Sequence, residues 1–323
     1  MAMSEEWTLI PARAGDLRAC VWAPESEDAP LPGVVLVDGS GEGACDDWGE
    51  WPERFVNCGA VVLAHDKPGC GGSPGDWSGQ SFADRAAESL AALGVLRRQP
   101  AVGDQPLGLL GFSQGGWVAM LAAALEPTRV DFVICISGPG VGPAEQDRYR
   151  IERDLVASGV SEADRAEALA WIDERAARLT AGEDVTAVLA AQESLADRAW
   201  YEDATRYFDN PAALGFLARV LDFDPVPVLE KVSCPVLALH GGADTLVPAG
   251  ASVASYATHL PPLPDGEHGI AIFPGADHGL FTADPDPQVA RTDQLAAGFL
   301  AMLAGFLARQ AQAHAKSSQT SAA

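Results

Sequence analysis

Six short, almost uninterrupted runs of Val, Ile and Leu, separated mostly by longer stretches of helical periodicity, constrain this chain more than any other feature. They are Gly33–Val37, Ala60–Ala64, Leu107–Gly111, Phe132–Ile136, Pro235–Leu239 and Ile270–Phe273. A strand with one wet face alternates apolar and polar residues. A strand that is apolar throughout is covered on both faces, as in a parallel sheet between helical layers. The stretches 51–56, 82–98, 116–125, 249–259 and 289–309 carry helical spacing. The expected fold is therefore α/β, a doubly wound, mostly parallel sheet. Ahead of it, Trp7 to Trp22 alternates about Ala14-Gly15-Asp16, which predicts an N-terminal β-hairpin.

The rhythm breaks once. Between Pro143 and Val226 the sequence turns helical and charged, with Ser161-Glu162-Ala163-Asp164 resembling a capping box. The expected organisation is a core built from 1–142 and 226–310, a helical insertion over 143–225, and a frayed, polar tail over 311–323.

A net charge of −24 over 323 residues repels polyanions, so neither nucleic acid nor an anionic membrane is an expected partner. The acidity itself reads as a solubility surface. The first residues lack the basic and apolar regions of a secretory leader, and the six cysteines form no C-x-x-C pair. A cytoplasmic protein with reduced thiols is expected. No His/Cys cluster or H-E-x-x-H motif calls for a metal, no cofactor motif is present, and Asp46-Asp47 reads as a solvated loop.

Chemistry enters with Leu109-Leu110-Gly111-Phe112-Ser113-Gln114-Gly115-Gly116, an apolar strand running through G-x-S-x-G into a helix. Glycines two residues either side of Ser113 allow a tight turn that lifts the hydroxyl out of the sheet, although an N-cap serine would look similar. A serine hydroxyl is a poor nucleophile unless a base takes its proton and an acid orients that base. Two later strands supply candidates. His240-Gly241-Gly242-Ala243-Asp244 follows one strand, and Phe273-Pro274-Gly275-Ala276-Asp277-His278 follows the next. The order is serine, acid, histidine, each at a strand's carboxyl end, where parallel sheets place their sites. Asp277 is a rival acid, disfavoured because it adjoins His278, and Asp244 has an alternative as a helix-capping residue.

With these motifs in that order, the chain resembles the α/β-hydrolase superfamily from Val34 to His278. The resemblance implies Ser113 as nucleophile, His278 as base and Asp244 as the acid. It implies an oxyanion hole from the backbone N–H of Gln114 and of Ser40, the latter in Val37-Asp38-Gly39-Ser40-Gly41, similar to the family's His-Gly-x-Gly loop. Asp38 stands where histidine is common. His65-Asp66-Lys67-Pro68-Gly69-Cys70-Gly71-Gly72-Ser73 resembles the family's Asp-x-Arg-Gly-x-Gly-x-Ser turn, with Pro68 in place of arginine and Asp66 read as a structural brace. The hairpin and Ile136–Val141 look most like bacterial esterases of the dienelactone-hydrolase and prolyl-oligopeptidase-like branch.

An insertion at this point usually caps the site. Trp171, Trp200, Tyr201 and Phe208 within it, and Trp48 outside it, are candidates for a substrate pocket, although aromatic residues at helical spacing more often form an ordinary core. The expected activity is hydrolysis of a small-molecule carboxylic ester through a Ser-His-Asp acyl-enzyme. A thioesterase or peptidase/amidase of the same fold, and a non-catalytic binding protein, are the alternatives.

Overall fold

Val34 and Leu36 pack into one apolar cluster while Val35 and Val37 of the same strand pack into another on the opposite face. That division decides the layering. The computed structural model of the chain describes residues 2–25, 29–263 and 267–321, the last five as backbone alone. In chain order its elements begin with β1 (Met3–Ile10), β2 (Leu17–Pro24), β3 (Gly33–Val37), α1 (Trp51–Asn57), β4 (Val61–His65) and α2 (Phe82–Leu96). Then come β5 (Leu107–Phe112), α3 (Gln114–Leu125) and β6 (Phe132–Ile136).

The sheet order is β1-β2-β4-β3-β5-β6 followed by β7 (Val236–Gly241) and β8 (Gly269–Phe273). The first two strands are an antiparallel hairpin, β2 runs antiparallel to β4, and from β4 onward every pairing is parallel. Leu36, Leu110, Ile134 and Leu237 stand in register across four strands, all buried, each contributing roughly 2 kcal/mol through burial. Helices α2 and α3 cover one face. On the other, Phe55 of α1 packs in the same cluster as Phe299 and Phe306 of the last helix. The chain moves outward from β3 to β4 and returns to the other side of β3 with β5, so a crevice opens at the carboxyl ends there.

Between β6 and β7 lie only helices: α4 (Pro143–Ala157), α5 (Glu162–Thr180), α6 (Val185–Glu193), α7 (Tyr201–Thr205), α8 (Pro211–Val220) and α9 (Val226–Leu229). They carry two small cores of their own, one around Ile151, Leu155 and Ile172 and one around Leu179, Val188 and Leu214. After β7 come α10 (Ala249–His259), β8 and α11 (Phe299–Ser321).

Two expectations are corrected here. The helical pattern over 289–309 is α-helical only from Phe299, with a single 3-10 turn at Arg291–Asp293. Before that, the Gln294 side chain takes the N–H of Asp286 and donates to the carbonyls of Asp286 and Val289, closing an irregular loop. The tail expected to fray from 311 continues α11 to Ser321, and 322–323 lie outside the described residues. Among the described residues no helix is long and apolar enough to cross a membrane.

Candidate active site

Ser113 sits between β5 and α3 at φ 53°, ψ −124°, a backbone conformation L-residues rarely adopt. The glycines around it permit that turn. A Cβ at position 111 would overlap the carbonyl of Gly115, and one at 115 would overlap the carbonyl of Val37. Strain of this kind persists only where packing over-determines it, and it clusters at functional sites. Gln114 is the first residue of α3, so its N–H has no acceptor within the helix and faces the helix's positive end.

Asp244 follows β7 with its side chain wholly buried, and His278 follows β8 with 15% of its side chain exposed. Their facing atoms, Asp244 Oδ2 and His278 Nδ1, are 2.8 Å apart. A carboxylate only accepts, so Nδ1 donates its hydrogen to Asp244, leaving Nε2 free to accept a proton. The other carboxylate oxygen accepts the N–H groups of Leu246 at 2.7 Å and Val247 at 2.9 Å, which fixes the acid in place. Asp277, the rival, is committed elsewhere. Its Oδ1 accepts the N–H groups of Gly279 and Phe281, each at 3.0 Å, and its Oδ2 pairs with Arg291. Two other histidines near strand ends have structural settings: His268 accepts the N–H of Val236, and His240 is buried, its pKa lowered to about 4 by that burial.

Two buried cations hold the loop after β3: Lys67, within the motif after β4 but given no role in it, and Arg85, outside every motif. Lys67 Nζ donates to the carbonyls of Gly39 and Gly41, both at 2.7 Å, and lies 3.2 Å from Asp38 Oδ2. Arg85 donates to the carbonyl of Asp38 at 2.6 Å and to Oε1 of Gln114 at 2.7 Å, tying the two candidate oxyanion segments together. Burial, aided by Arg85, lowers the Lys67 pKa to about 8. The residue missing from the family pattern, histidine at 38, is thus replaced by an acid that binds a buried lysine. Asp66 braces the adjoining turn, accepting from the N–H of Cys45, from Ser73 and from Arg18.

A cavity of about 410 Å³ is lined by Ser40, Ser113 and Gln114 together with Tyr207, Phe208 and Phe216 from the insertion. Asp147 and Arg150 also reach it, but they are paired at 2.8 Å, so they add no net charge. Trp171 and Trp200, expected in the pocket, instead fill the insertion's own core, and Tyr201 packs against that core. Helical spacing marks a buried face without saying what covers it, which is why the sequence misplaced them. Trp48 lines a separate cavity of about 220 Å³, with Phe112, Trp51, Phe281 and Gly279. The insertion also reaches the acid: Tyr149 of α4 donates to the carbonyl of Asp244 at 2.8 Å, and Gln146 donates to the carbonyl of Leu246 at 2.6 Å.

Among the described residues, Cys45, Asp46 and Asp66 form the one group close enough to hold a cation. Burial raises the Cys45 thiol pKa, and Asp66 already accepts hydrogen bonds from three groups, so the cluster suits a neutral thiol better than a metal-bound thiolate.

A family model described as serine aminopeptidase, S33, matches residues 29–286. The chain is similar to 2-succinyl-6-hydroxy-2,4-cyclohexadiene-1-carboxylate synthase of Escherichia coli, 33% identical over 129 residues, 38% of this chain and 46% of that one. The match thus spans about half of that curated relative. Among solved structures, Est1E from Butyrivibrio proteoclasticus superposes with a TM-score of 0.56 at 17% identity, covering 94% of this chain and 98% of that one. A putative dienelactone hydrolase from Klebsiella pneumoniae gives 0.53 at 18% identity, covering 87% and 89%. At such identities the likeness is one of fold.

Proposed function

The chain belongs to the serine aminopeptidase S33 family of α/β-hydrolases, and on that premise we propose that it hydrolyses a small, uncharged carboxylic ester through an acyl-enzyme on Ser113. One observation carries the reading: the strained turn that presents Ser113 lies on the same sheet edge as a histidine whose Nδ1 is held by a buried carboxylate. In the proposed reaction His278 Nε2 takes the hydroxyl proton as Ser113 Oγ attacks the carbonyl carbon. The N–H groups of Gln114 and Ser40 receive the oxyanion. His278 then protonates the leaving alcohol, and water, deprotonated by the same imidazole, releases the acid.

The insertion serves as a cap whose aromatic residues Tyr207, Phe208 and Phe216 enclose the substrate. An uncharged substrate is supported by the internal pairing of Asp147 with Arg150 at the cavity and by the chain's net charge of −24. A cytoplasmic location and a small-molecule partner belong to the same reading.

The test is turnover of p-nitrophenyl esters of graded acyl length beside a thioester, a lactone and an anilide, with intact-mass detection of the acyl-enzyme. A burst of nitrophenol and an acyl adduct mapped to Ser113 support the reading. Faster turnover of the anilide or thioester than of any oxygen ester overturns the ester assignment, and no adduct with any substrate overturns the mechanism.

A further inference from the structure

The cavity of about 220 Å³ beside Phe112 is separate from the one that Ser113 lines, yet it is built from the immediate neighbours of site residues. Phe112 precedes Ser113, Gly279 follows His278, and Asp38 opens the loop that carries Ser40. The Phe112 ring also lies 5.1 Å from the His278 ring, so the cavity's wall is continuous with the base.

Its lining is aromatic. Trp51 is stacked on buried Phe55 at 5.5 Å and tilted against Phe281 at 5.7 Å, while Trp48 completes the aromatic wall. Leu110 and Ile136, both buried, supply aliphatic surface from the sheet. The turn that delivers Phe281 is strained. Leu280, a bulky residue, is held at φ 58° with its side chain fully buried, and Asp277 accepts the N–H groups on either side of it.

Size and charge define the occupant. An apolar cavity of about 150 Å³ accepts a benzene ring, so one of about 220 Å³ has room for a ring and a short linker. Aromatic walls favour a flat ring, through offset and edge contacts. Two carboxylates, Asp38 and Asp47, also line the cavity. Lys67 balances the first, leaving Asp47 as an unneutralised negative charge. An anionic ring is therefore disfavoured.

From this arrangement we infer that the slot between Trp48, Trp51 and Phe281 is a subsite for a single uncharged aromatic ring of the substrate. The assignment rests on the ester-hydrolase reading for its chemistry, and on the slot alone for its binding. The acyl side and the alcohol side offer the same ring, so methyl phenylacetate and benzyl acetate are compared with methyl acetate.

Two variants and two readouts test it. Whichever ring-bearing ester fits should exceed methyl acetate in kcat/KM by at least a hundredfold, and Trp48→Ala should cut that ratio at least tenfold. By calorimetric titration, neutral phenylacetamide should bind more tightly than anionic phenylacetate, and Asp47→Lys should reverse the order. Reversal is a gain that misfolding cannot produce. Absence of saturable phenylacetamide binding, or an ester ratio and a ligand preference unmoved by both variants, overturns the subsite. Trp48-dependent binding in a protein that turns over no ester keeps the subsite and removes the hydrolase reading.

Discussion

The Tyr149 hydroxyl, in the insertion, donates to the main-chain carbonyl of Asp244 at 2.8 Å, so the helix that lines the cavity beside Ser113 also props the residue whose carboxylate accepts from His278. A neutral hydrogen bond contributes about 1 kcal/mol. Tyr149→Phe should therefore lower kcat roughly fivefold while KM changes little, because the loop loosens without altering the cavity that Ser113 lines. A steady-state ester assay separates the two parameters, and a rise in KM alone would place Tyr149 in substrate binding instead.

Asp244 and Asp277 make opposite predictions. Asp244→Asn leaves a group that can donate to Nδ1 and thereby favours the wrong tautomer, so kcat should fall roughly 10⁴-fold. Asp277 shapes only the turn and pairs with Arg291, so Asp277→Asn should cost less than about tenfold, a turn bond being worth about 1 kcal/mol. Equal losses in the two variants would show that the turn, rather than the carboxylate behind the imidazole, limits the reaction.

Lys67 supplies both a functional and a pH-dependent outcome. Lys67→Met removes the bonds to the carbonyls of Gly39 and Gly41, and a displaced Ser40 N–H should cost roughly a hundredfold in kcat. In the folded chain burial lowers the lysine's pKa from 10.5 to about 8. Between those values the unfolded chain holds more protons, so this group adds stability as the pH rises through the window. Urea unfolding of the wild type should gain, relative to Lys67→Met, on the order of 2 kcal/mol between about pH 8 and pH 10. An identical slope in both proteins would mean that burial does not lower the Lys67 pKa in the fold.

Trp200 is fully buried among Ile151, Leu155 and Trp171 and donates its indole N–H to Glu167 at 3.1 Å. Trp200→Ala should destabilise the insertion on the order of 3–5 kcal/mol, seen as an early thermal transition. A shift in acyl-length preference with unchanged stability would return Trp200 to the pocket.

What the sequence disclosed and what it hid have different physical ranges. Both-face burial leaves a local mark, the unbroken apolar run, so β3 to β7 were readable from pattern alone, whereas β8, with the same apolar run, is a partly exposed edge strand. Ser113 was legible because a turn that tight demands glycine at 111 and 115. Lys67, Arg85 and Tyr149 act across the fold, each donating to main-chain carbonyls that any residue would present, so no partner residue advertises them. The aromatic residues divide the same way. Trp171 and Phe208 both lie in the helical insertion, and only packing shows that the first faces the insertion's core and the second the cavity beside Ser113.

Reaction with a fluorophosphonate probe, followed by peptide mapping, addresses Ser113 most directly. The wild-type protein should be labelled at Ser113, with the rate at least a hundredfold lower in His278→Ala and no adduct in Ser113→Ala, all three folded by circular dichroism. An unlabelled Ser113 in folded protein, or a labelling rate that His278→Ala leaves unchanged, would contradict the role assigned to the strained serine and its histidine.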